Sequence, residues 1–225
     1  MYLDTTIREK IWERVHKMKI EEVNILVLGA ENVGKSALTV RFLTKRFIGD
    51  YDSHEDSIYQ HTVDCEAEQY NVSMLDTCSK MEDARNLSEQ IRWADAVALV
   101  YDVSSYQSFE TMQAQLKRLH GHVKKGASLP IVILANKVDL HPKAHKVTRE
   151  EGQQLAEEHG CQFFEVSAAD GWLEVARAFK SVIHLMEVKR KRSRSPLVLR
   201  KRRGSVTRHV AHKVLQVVSW SPKRS

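Results

Sequence analysis

The residues best suited to chemistry form one glycine-containing stretch near the amino end, Gly29 to Ser36, with the sequence GAENVGKS. It fits G-x-x-x-x-G-K-[ST], a pattern in which backbone N–H groups turn toward one centre and bind a phosphate chain. Glycine accepts positive φ and lets the backbone come close to the ligand. The pattern places the Lys35 ammonium at the β- and γ-phosphates and the Ser36 hydroxyl on Mg²⁺. By itself the stretch leaves a second interpretation open, a strand-to-helix turn with a surface lysine.

The segments on either side of this stretch, called the phosphate loop below, have the periodicity needed to position it. Residues 23–28 (VNILVL) are mostly apolar and predict a buried strand that enters the loop. Residues 37–43 (ALTVRFL) predict a helix that leaves it. The amino end of a helix adds unpaired N–H groups and partial positive charge. Strand, loop and helix together therefore predict an anion-binding site.

Charge is distributed unevenly along the 225 residues, although the net value is only +6. Residues 189–225 hold thirteen Lys and Arg and no Asp or Glu, which leaves 22 basic and 29 acidic residues in 1–188. The globular part is acidic and the tail strongly basic, so nucleic-acid binding would depend on the tail alone. We predict no specific nucleic-acid partner.

Composition also bounds the domain organisation and the compartment. Charges interrupt the first twenty residues, and no stretch approaches the ~20 apolar residues that span a bilayer. Three scattered cysteines do not suit a disulfide framework and fit a reducing cytoplasm. We expect an amphipathic amino-terminal helix in residues 1–20, one domain in 21–188 and a basic tail in 189–225.

Strands and helices alternate along the predicted domain, which indicates an α/β fold with a mostly parallel sheet and one antiparallel hairpin. A Thr148–Glu151 capping box predicts the start of a late helix. Predicted strands cover 23–28, 58–65, 70–75, 96–101, 131–135 and 162–166. Predicted helices cover about 37–43, 82–93, 105–126, 148–160 and 171–189.

Polar motifs follow three further strands, at the edge where an α/β sheet binds its ligands. Asp76-Thr77 follows the third strand, where a carboxylate could hold Mg²⁺ through a water. The sequence NKVD (residues 136–139), which we call the base loop, follows the fifth strand. Ser167-Ala168 follows the sixth strand. Asp139 can accept hydrogen bonds from both N1–H and the 2-amino group of guanine. Adenine lacks that donor pair and would leave the carboxylate unpaired.

In this order, GxxxxGKS, DT, NKxD and SA, the chain resembles the Ras-like small GTPases over residues 21–188. Residues 34–48 and 202–210 look most like the branch that includes the estrogen-regulated growth inhibitor. The resemblance implies a three-layer phosphate-loop NTPase fold with six strands and about five helices. It also implies a monomeric signalling switch that binds GTP and GDP with Mg²⁺ and hydrolyses GTP.

The resemblance assigns roles to individual residues. Asn136 would contact the base and tie the phosphate loop down, the Lys137 stem would cover the base face, and the Ala168 N–H would meet O6. Lys35 and Lys80 are the catalytic candidates, while Ser36 and Asp76 would hold the metal. The nucleotide-binding candidates are Gly29, Glu31, Asn32, Val33, Gly34, Lys35, Ser36, Ala37, Asp76, Asn136, Lys137, Asp139, Ser167 and Ala168.

The departures from the family pattern concern hydrolysis. Glu31 stands where Ras proteins have glycine, near the γ-phosphate and in the space of a partner's arginine. Ser79 replaces a glycine whose N–H meets that phosphate, and Lys80 replaces the glutamine that positions water. The switch threonine that joins Mg²⁺ has no clear counterpart, with His54 or its neighbour Ser53 in its place. We expect slow hydrolysis, because Glu31 would block a partner's arginine, which supplies roughly 10³–10⁵ in rate, and because the glutamine that positions water is missing. The alternative is a different mechanism that uses Lys80 or a partner.

The tail supports a second functional hypothesis, a binding protein insensitive to nucleotide that acts through its basic residues, as Rad/Gem-like GTPases do. Residues 206–218 show an apolar face that predicts an amphipathic helix, and the tail 189–225 suits an anionic membrane, a calmodulin-like groove or a 14-3-3-like partner. Ser205 and Ser195 are candidate phosphorylation sites, where phosphate would weaken attraction to a membrane. An import signal would suit the same charges. No prenylation motif ends the chain. We therefore expect a cytoplasmic protein, with the nucleus or the inner plasma membrane as alternatives, and effector contacts through residues 50–58.

Overall fold

The computed structural model describes residues 21–48, 56–65, 68–78, 84–122, 129–193 and 214–216. The strands are β1 Glu21–Gly29, β2 Ser57–Cys65, β3 Glu68–Asp76, β4 Ala96–Asp102, β5 Ile131–Asn136, β6 Gln162–Glu165 and β7 Val214–Gln216. The helices are α1 Lys35–Thr44, α2 Ala84–Trp93, α3 Tyr106–His122, α4 Arg149–His159 and α5 Trp172–Ser193, with a 3₁₀ turn at Pro142–Ala144. The α/β fold is confirmed, with the six predicted strands and the five predicted helices, and β7 adds a seventh strand to the sheet among the described residues.

The sheet has the strand order β6-β5-β4-β1-β3-β2-β7. Strands β6, β5, β4, β1 and β3 are mutually parallel, and β2 pairs antiparallel with β3 as the predicted hairpin. The carboxyl ends of the parallel strands therefore meet at one edge, because each returns through a crossover on a face of the sheet. That edge carries the motifs found in the sequence.

Alternating side chains of the central strands fill two cores, one on each face of the sheet. In β1, Ile25 and Val27 pack with α1 and α5, while Leu26 and Leu28 pack with α2, α3 and α4. β4 divides in the same way, and its seven residues are all buried. The near-continuous apolar runs in the sequence thus reflect strands that are covered on both faces.

Helix boundaries follow local signals in the sequence. Both hydrogen bonds of the predicted capping box form between Thr148 and Glu151 at the start of α4. α5 extends to Ser193, beyond its predicted end near residue 189, and the Arg190 guanidinium pairs with Glu21 at 3.1 Å and with Asp95 at 3.1 Å. These ion pairs hold the carboxyl-terminal turns of α5 on the start of β1 and on the residue before β4.

The tail differs from its prediction where the structure describes it. Val214–Gln216 forms strand β7, parallel to β2 and in register with Ile58–Gln60, so the amphipathic helix predicted over 206–218 is wrong for these three residues. Valine favours strands because of its β-branched side chain, and the edge of β2 opposite β3 accepts a further strand. The amino-terminal helix predicted in residues 1–20 lies outside the described residues. Within the described ranges, no helix is both long and apolar enough to span a bilayer.

Candidate functional site: a phosphate loop and its partner loops

The phosphate loop connects β1 to α1, as the sequence predicts, and two glycines allow its shape. A Cβ on Gly29 would lie 2.3 Å from the Val100 carbonyl oxygen, so any larger residue would separate β1 from β4. Gly34 has φ +92° and is the N-cap residue of α1. Close strand packing at one end and a left-handed turn at the other therefore require glycine.

Lys35 is buried at the first position of α1, and its ammonium curls back over the loop. Nζ donates to the carbonyl oxygens of Gly29, at 3.1 Å, and Ala30, at 2.8 Å. Burial lowers the pKa of Lys35, while nearby negative charge, chiefly that of Asp76, opposes this shift. The chain thus holds a desolvated cation over the loop, a feature suited to a phosphate oxygen.

Asp76, the last residue of β3, has chemistry that fits a bound cation. Its Oδ1 is buried and has no hydrogen-bond partner among the described residues. Burial raises the pKa of Asp76 to about 6, although the hydrogen bond from Ser36 and the charge of Lys35 act in the opposite direction. Hydroxyl and carboxylate oxygens are ligands that Mg²⁺ prefers. The pair Ser36 and Asp76 therefore fits a magnesium ion.

Asn136 lies at the centre of the site and is 1% exposed. Its Nδ2 donates to the Val33 carbonyl oxygen at 2.7 Å, and its Oδ1 accepts from the Ala168 N–H at 3.2 Å. One side chain thus connects the phosphate loop to the turn after β6. The sequence resemblance implied the first of these connections.

The rest of the base loop is held by side chains. Asp139 is exposed, and its Oδ1 accepts from the Ser167 hydroxyl at 2.6 Å, while Ser167 Oγ accepts from the Asp170 N–H at 2.9 Å. Ser167 therefore fixes the orientation of the Asp139 carboxylate. Lys137, at φ +67°, donates from Nζ to the Asn32 carbonyl oxygen at 2.8 Å.

The phosphate loop carries charges of both signs, the Lys35 ammonium and the Glu31 carboxylate. Glu31 is exposed, and its charge is among those that raise the pKa of Lys35 against the effect of burial. Its carboxylate therefore acts on the same ammonium that the motif assigns to phosphate. The loop combines a cation and helix N–H groups with one exposed anion.

Several sequence predictions fall outside the described residues. These are Ser53, His54, Ser79 and Lys80, together with all of the 50–58 segment before Asp56. The other candidates, from Gly29 to Ala37 and at Asp76, Asn136 to Asp139, Ser167 and Ala168, lie together at the carboxyl edge of the sheet.

Sequence reasoning missed two acidic residues. Asp102, at the end of β4, pairs with Lys137 at 2.7 Å. The signal for it was an acidic residue directly after a fully apolar strand, the same signal that identified Asp76. Asp56 accepts from the Cys78 N–H at 2.6 Å and from Gln90 Nε2 at 3.0 Å. Because Cys78 and Gln90 are distant from Asp56 in sequence, no local sequence pattern predicts these hydrogen bonds.

Comparisons with known proteins agree with this geometry. The model of the Ras family matches residues 24–188. The chain is 40% identical over 169 residues to the bovine (Bos taurus) Ras-related and estrogen-regulated growth inhibitor-like protein, covering 73% of this chain and 82% of the relative. It is 41% identical over 194 residues to human Ras-like protein family member 11B, covering 82% and 75%. To the human Ras-related and estrogen-regulated growth inhibitor it is 35% identical over 201 residues, covering 89% and 97%.

Proposed function

This chain belongs to the Ras family of small GTPases, and on that premise we propose that it is a Mg²⁺-dependent GTP/GDP switch with slow GTP hydrolysis. The observation that carries the proposal is the buried Oδ1 of Asp76, which has no hydrogen-bond partner in the part of the chain that the structure describes and lies beside the Ser36 hydroxyl and the Lys35 ammonium. An unpaired buried carboxylate oxygen is costly, and a cation ligand would satisfy it.

In the proposed complex each element of the chain has a defined task. The N–H groups of the phosphate loop and the start of α1 bind phosphate oxygens, and Lys35 exchanges its carbonyl partners for the β- and γ-phosphates. Asp139, oriented by Ser167, accepts from the guanine N1–H and 2-amino groups. Mg²⁺ would be held by Ser36 and Asp76 and would supply charge neutralisation on the phosphates.

Slow hydrolysis rests on Glu31. Its carboxylate is close enough to act on Lys35, so it repels developing negative charge on the transferred phosphoryl group. It also occupies the approach of an arginine from an activating partner, whose contribution is roughly 10³–10⁵ in rate. Ser79 and Lys80, outside the described residues, strengthen the expectation, because the family's glycine and glutamine are missing.

The test of binding uses the purified full-length chain. We expect co-purifying guanine nucleotide, tight binding of mant-GDP and mant-GTP, much weaker binding of mant-ADP, and release accelerated by EDTA. An empty protein that ignores guanine nucleotides with Mg²⁺ would contradict the proposal.

The test of hydrolysis is single turnover of bound GTP. We expect a rate below the ~10⁻⁴ s⁻¹ of intrinsic Ras hydrolysis, with little stimulation by a Ras activator. Glu31→Gln removes charge at constant size, and Glu31→Gly also frees the space, so only the second should permit stimulation. Wild-type turnover at the rate of Ras would show that the slow-hydrolysis part is wrong.

A second candidate role rests on the thirteen basic residues of 189–225. We propose reversible binding to anionic membrane from the cytoplasm, at about 1 kcal/mol for each basic residue near acidic lipid. Full-length protein should sediment with phosphatidylserine vesicles and not with phosphatidylcholine vesicles. Equal binding in the GDP and GTP states would favour a tail function independent of nucleotide, and no binding to either vesicle would exclude the membrane role.

A further inference from the structure

Asp102 connects the end of β4 to the base loop through an ion pair with Lys137. It is the last residue of β4 and lies opposite Asn136 in the β4–β5 register. Its Oδ2 contacts Lys137 Nζ at 2.7 Å, and the same Nζ donates to the Asn32 carbonyl oxygen at 2.8 Å. The ammonium of Lys137 is therefore held between a carboxylate and the phosphate loop.

The carboxylate of Asp102 is itself fixed. Its Oδ1 accepts from the Ser104 N–H at 2.8 Å and from the Ser104 hydroxyl at 2.6 Å. Its backbone N–H donates to Ser108 Oγ at 3.0 Å, and the residue is 8% exposed. A buried anion with both oxygens engaged has little freedom to move. It provides Lys137 with one defined anchoring point.

We propose that Asp102 is a positioning residue for nucleotide binding, which acts by holding the Lys137 side chain across the space between the base loop and the phosphate loop. The inference rests on the proposed guanine-nucleotide function. The main chain of Lys137 is fixed by the base loop and its Nζ by Asp102 and Asn32. Its aliphatic stem must therefore span the two loops, where it closes one side of the pocket.

Removal of the Asp102 charge has a defined consequence. Lys137 Nζ keeps the Asn32 carbonyl, but that single neutral acceptor competes with water at a side chain that is 35% exposed. The aliphatic stem of Lys137 then samples other rotamers and no longer closes one side of the pocket, so the bound nucleotide dissociates more easily. The effect should appear mainly in the dissociation rate, because pocket closure opposes release.

The experiment measures mant-GDP dissociation from the full-length chain for wild type, Asp102→Asn, Lys137→Ala and the double variant. We expect Asp102→Asn to release nucleotide about 10-fold faster, within the range of coupling between contacting charged groups. In the Lys137→Ala background the same substitution should change the rate by less than about 2-fold. Asp64→Asn is the matched control, since Asp64 is an exposed hairpin aspartate whose carboxylate accepts from Gln69 Nε2, and it should leave release unchanged.

The cycle separates positioning from damage to the fold. If Asp102→Asn accelerates release equally with and without Lys137, Asp102 acts through general stability and the proposal is wrong. It is also wrong if Asp102→Asn releases mant-GDP at the wild-type rate while wild type and Asp64→Asn bind normally. If wild type and Asp64→Asn bind no guanine nucleotide, the proposed function itself fails, and with it the basis of this inference.

Discussion

The side-chain amide of Asn136 occupies the space that a side chain on Gly34 would need. A Cβ built on Gly34 would lie 2.4 Å from Asn136 Nδ2, the atom that donates to the Val33 carbonyl oxygen. The hydrogen bond from Asn136 to Val33, which joins the base loop to the phosphate loop, therefore requires that residue 34 has no Cβ. Glycine at this position is required both by its φ of +92° and by its neighbour.

We predict that Gly34→Ala weakens guanine-nucleotide binding by about 100-fold or more, because it displaces Asn136 and strains the N-cap of α1. The matched control is Gly121→Ala, since a Cβ on Gly121, near the end of α3, would meet nothing within 4 Å. That control should bind normally and gain up to about 0.5–1 kcal/mol in the free energy of unfolding. Fluorescence titration with mant-GDP and urea denaturation provide the two measurements. Normal binding by Gly34→Ala would show that the Asn136 bridge is dispensable.

For Asp76→Asn we predict opposite effects on stability and on function. Burial raises the pKa of Asp76 to about 6, so the ionised form destabilises the ligand-free fold at pH 7.5, by an amount of the order of 1–3 kcal/mol. The neutral amide should raise the melting temperature of ligand-free protein, measured in EDTA. It should also abolish the slowing of mant-GDP release by Mg²⁺, since a charged ligand is lost. A lower melting temperature would instead mean that the pairing of Asp76 with Lys35 outweighs its burial.

The elements of the fold were largely predictable because each carries a local signal. The apolar run at 96–101 indicated a doubly covered strand, and the Thr148–Glu151 pair marked the start of α4 to within one residue. β7 was missed because residues 206–218 have apolar residues at helical spacing, which favours a helix. No local sequence pattern indicates that residues 214–216 pair with the edge of β2. Pairing between segments about 150 residues apart is not encoded in periodicity.

The candidate site shows the same division. Motif spacing located the phosphate loop and the base loop, and Asn136 does contact Val33 as the resemblance implied. Asp102 and Asp56 were missed because their significance comes from partners brought together by the sheet, not from neighbours in sequence. A single carboxylate after a strand has too many ordinary interpretations to identify its partner.

We predict that Asp56→Asn loosens the connection between three parts of the chain. Asp56 precedes β2, and its carboxylate accepts from the Cys78 N–H after β3 and from Gln90 in α2. An amide can keep only one acceptor oxygen, so hydrogen exchange at the Cys78 amide and in α2 should become faster by about 10-fold, as expected for the loss of a bond worth about 1.5 kcal/mol. Gln90→Ala, which removes one of the two bonds, should accelerate exchange in α2 more than at Cys78. Wild-type exchange at Cys78 in Asp56→Asn would contradict the prediction.

The final prediction concerns acid and Asp102. Burial acts to raise the pKa of Asp102, but the hydrogen bonds from Lys137 and Ser104 outweigh it and hold the pKa below the ordinary 3.8. The folded state therefore binds this proton more weakly than the unfolded chain. The resulting stability is fully present above about pH 4 and is lost as pH falls through the folded pKa. Urea denaturation should show that Asp102→Asn lowers the free energy of unfolding by a constant amount from pH 7 to pH 5. That difference should shrink below about pH 4, whereas a deficit that persists undiminished to pH 3 would indicate lost packing rather than lost charge.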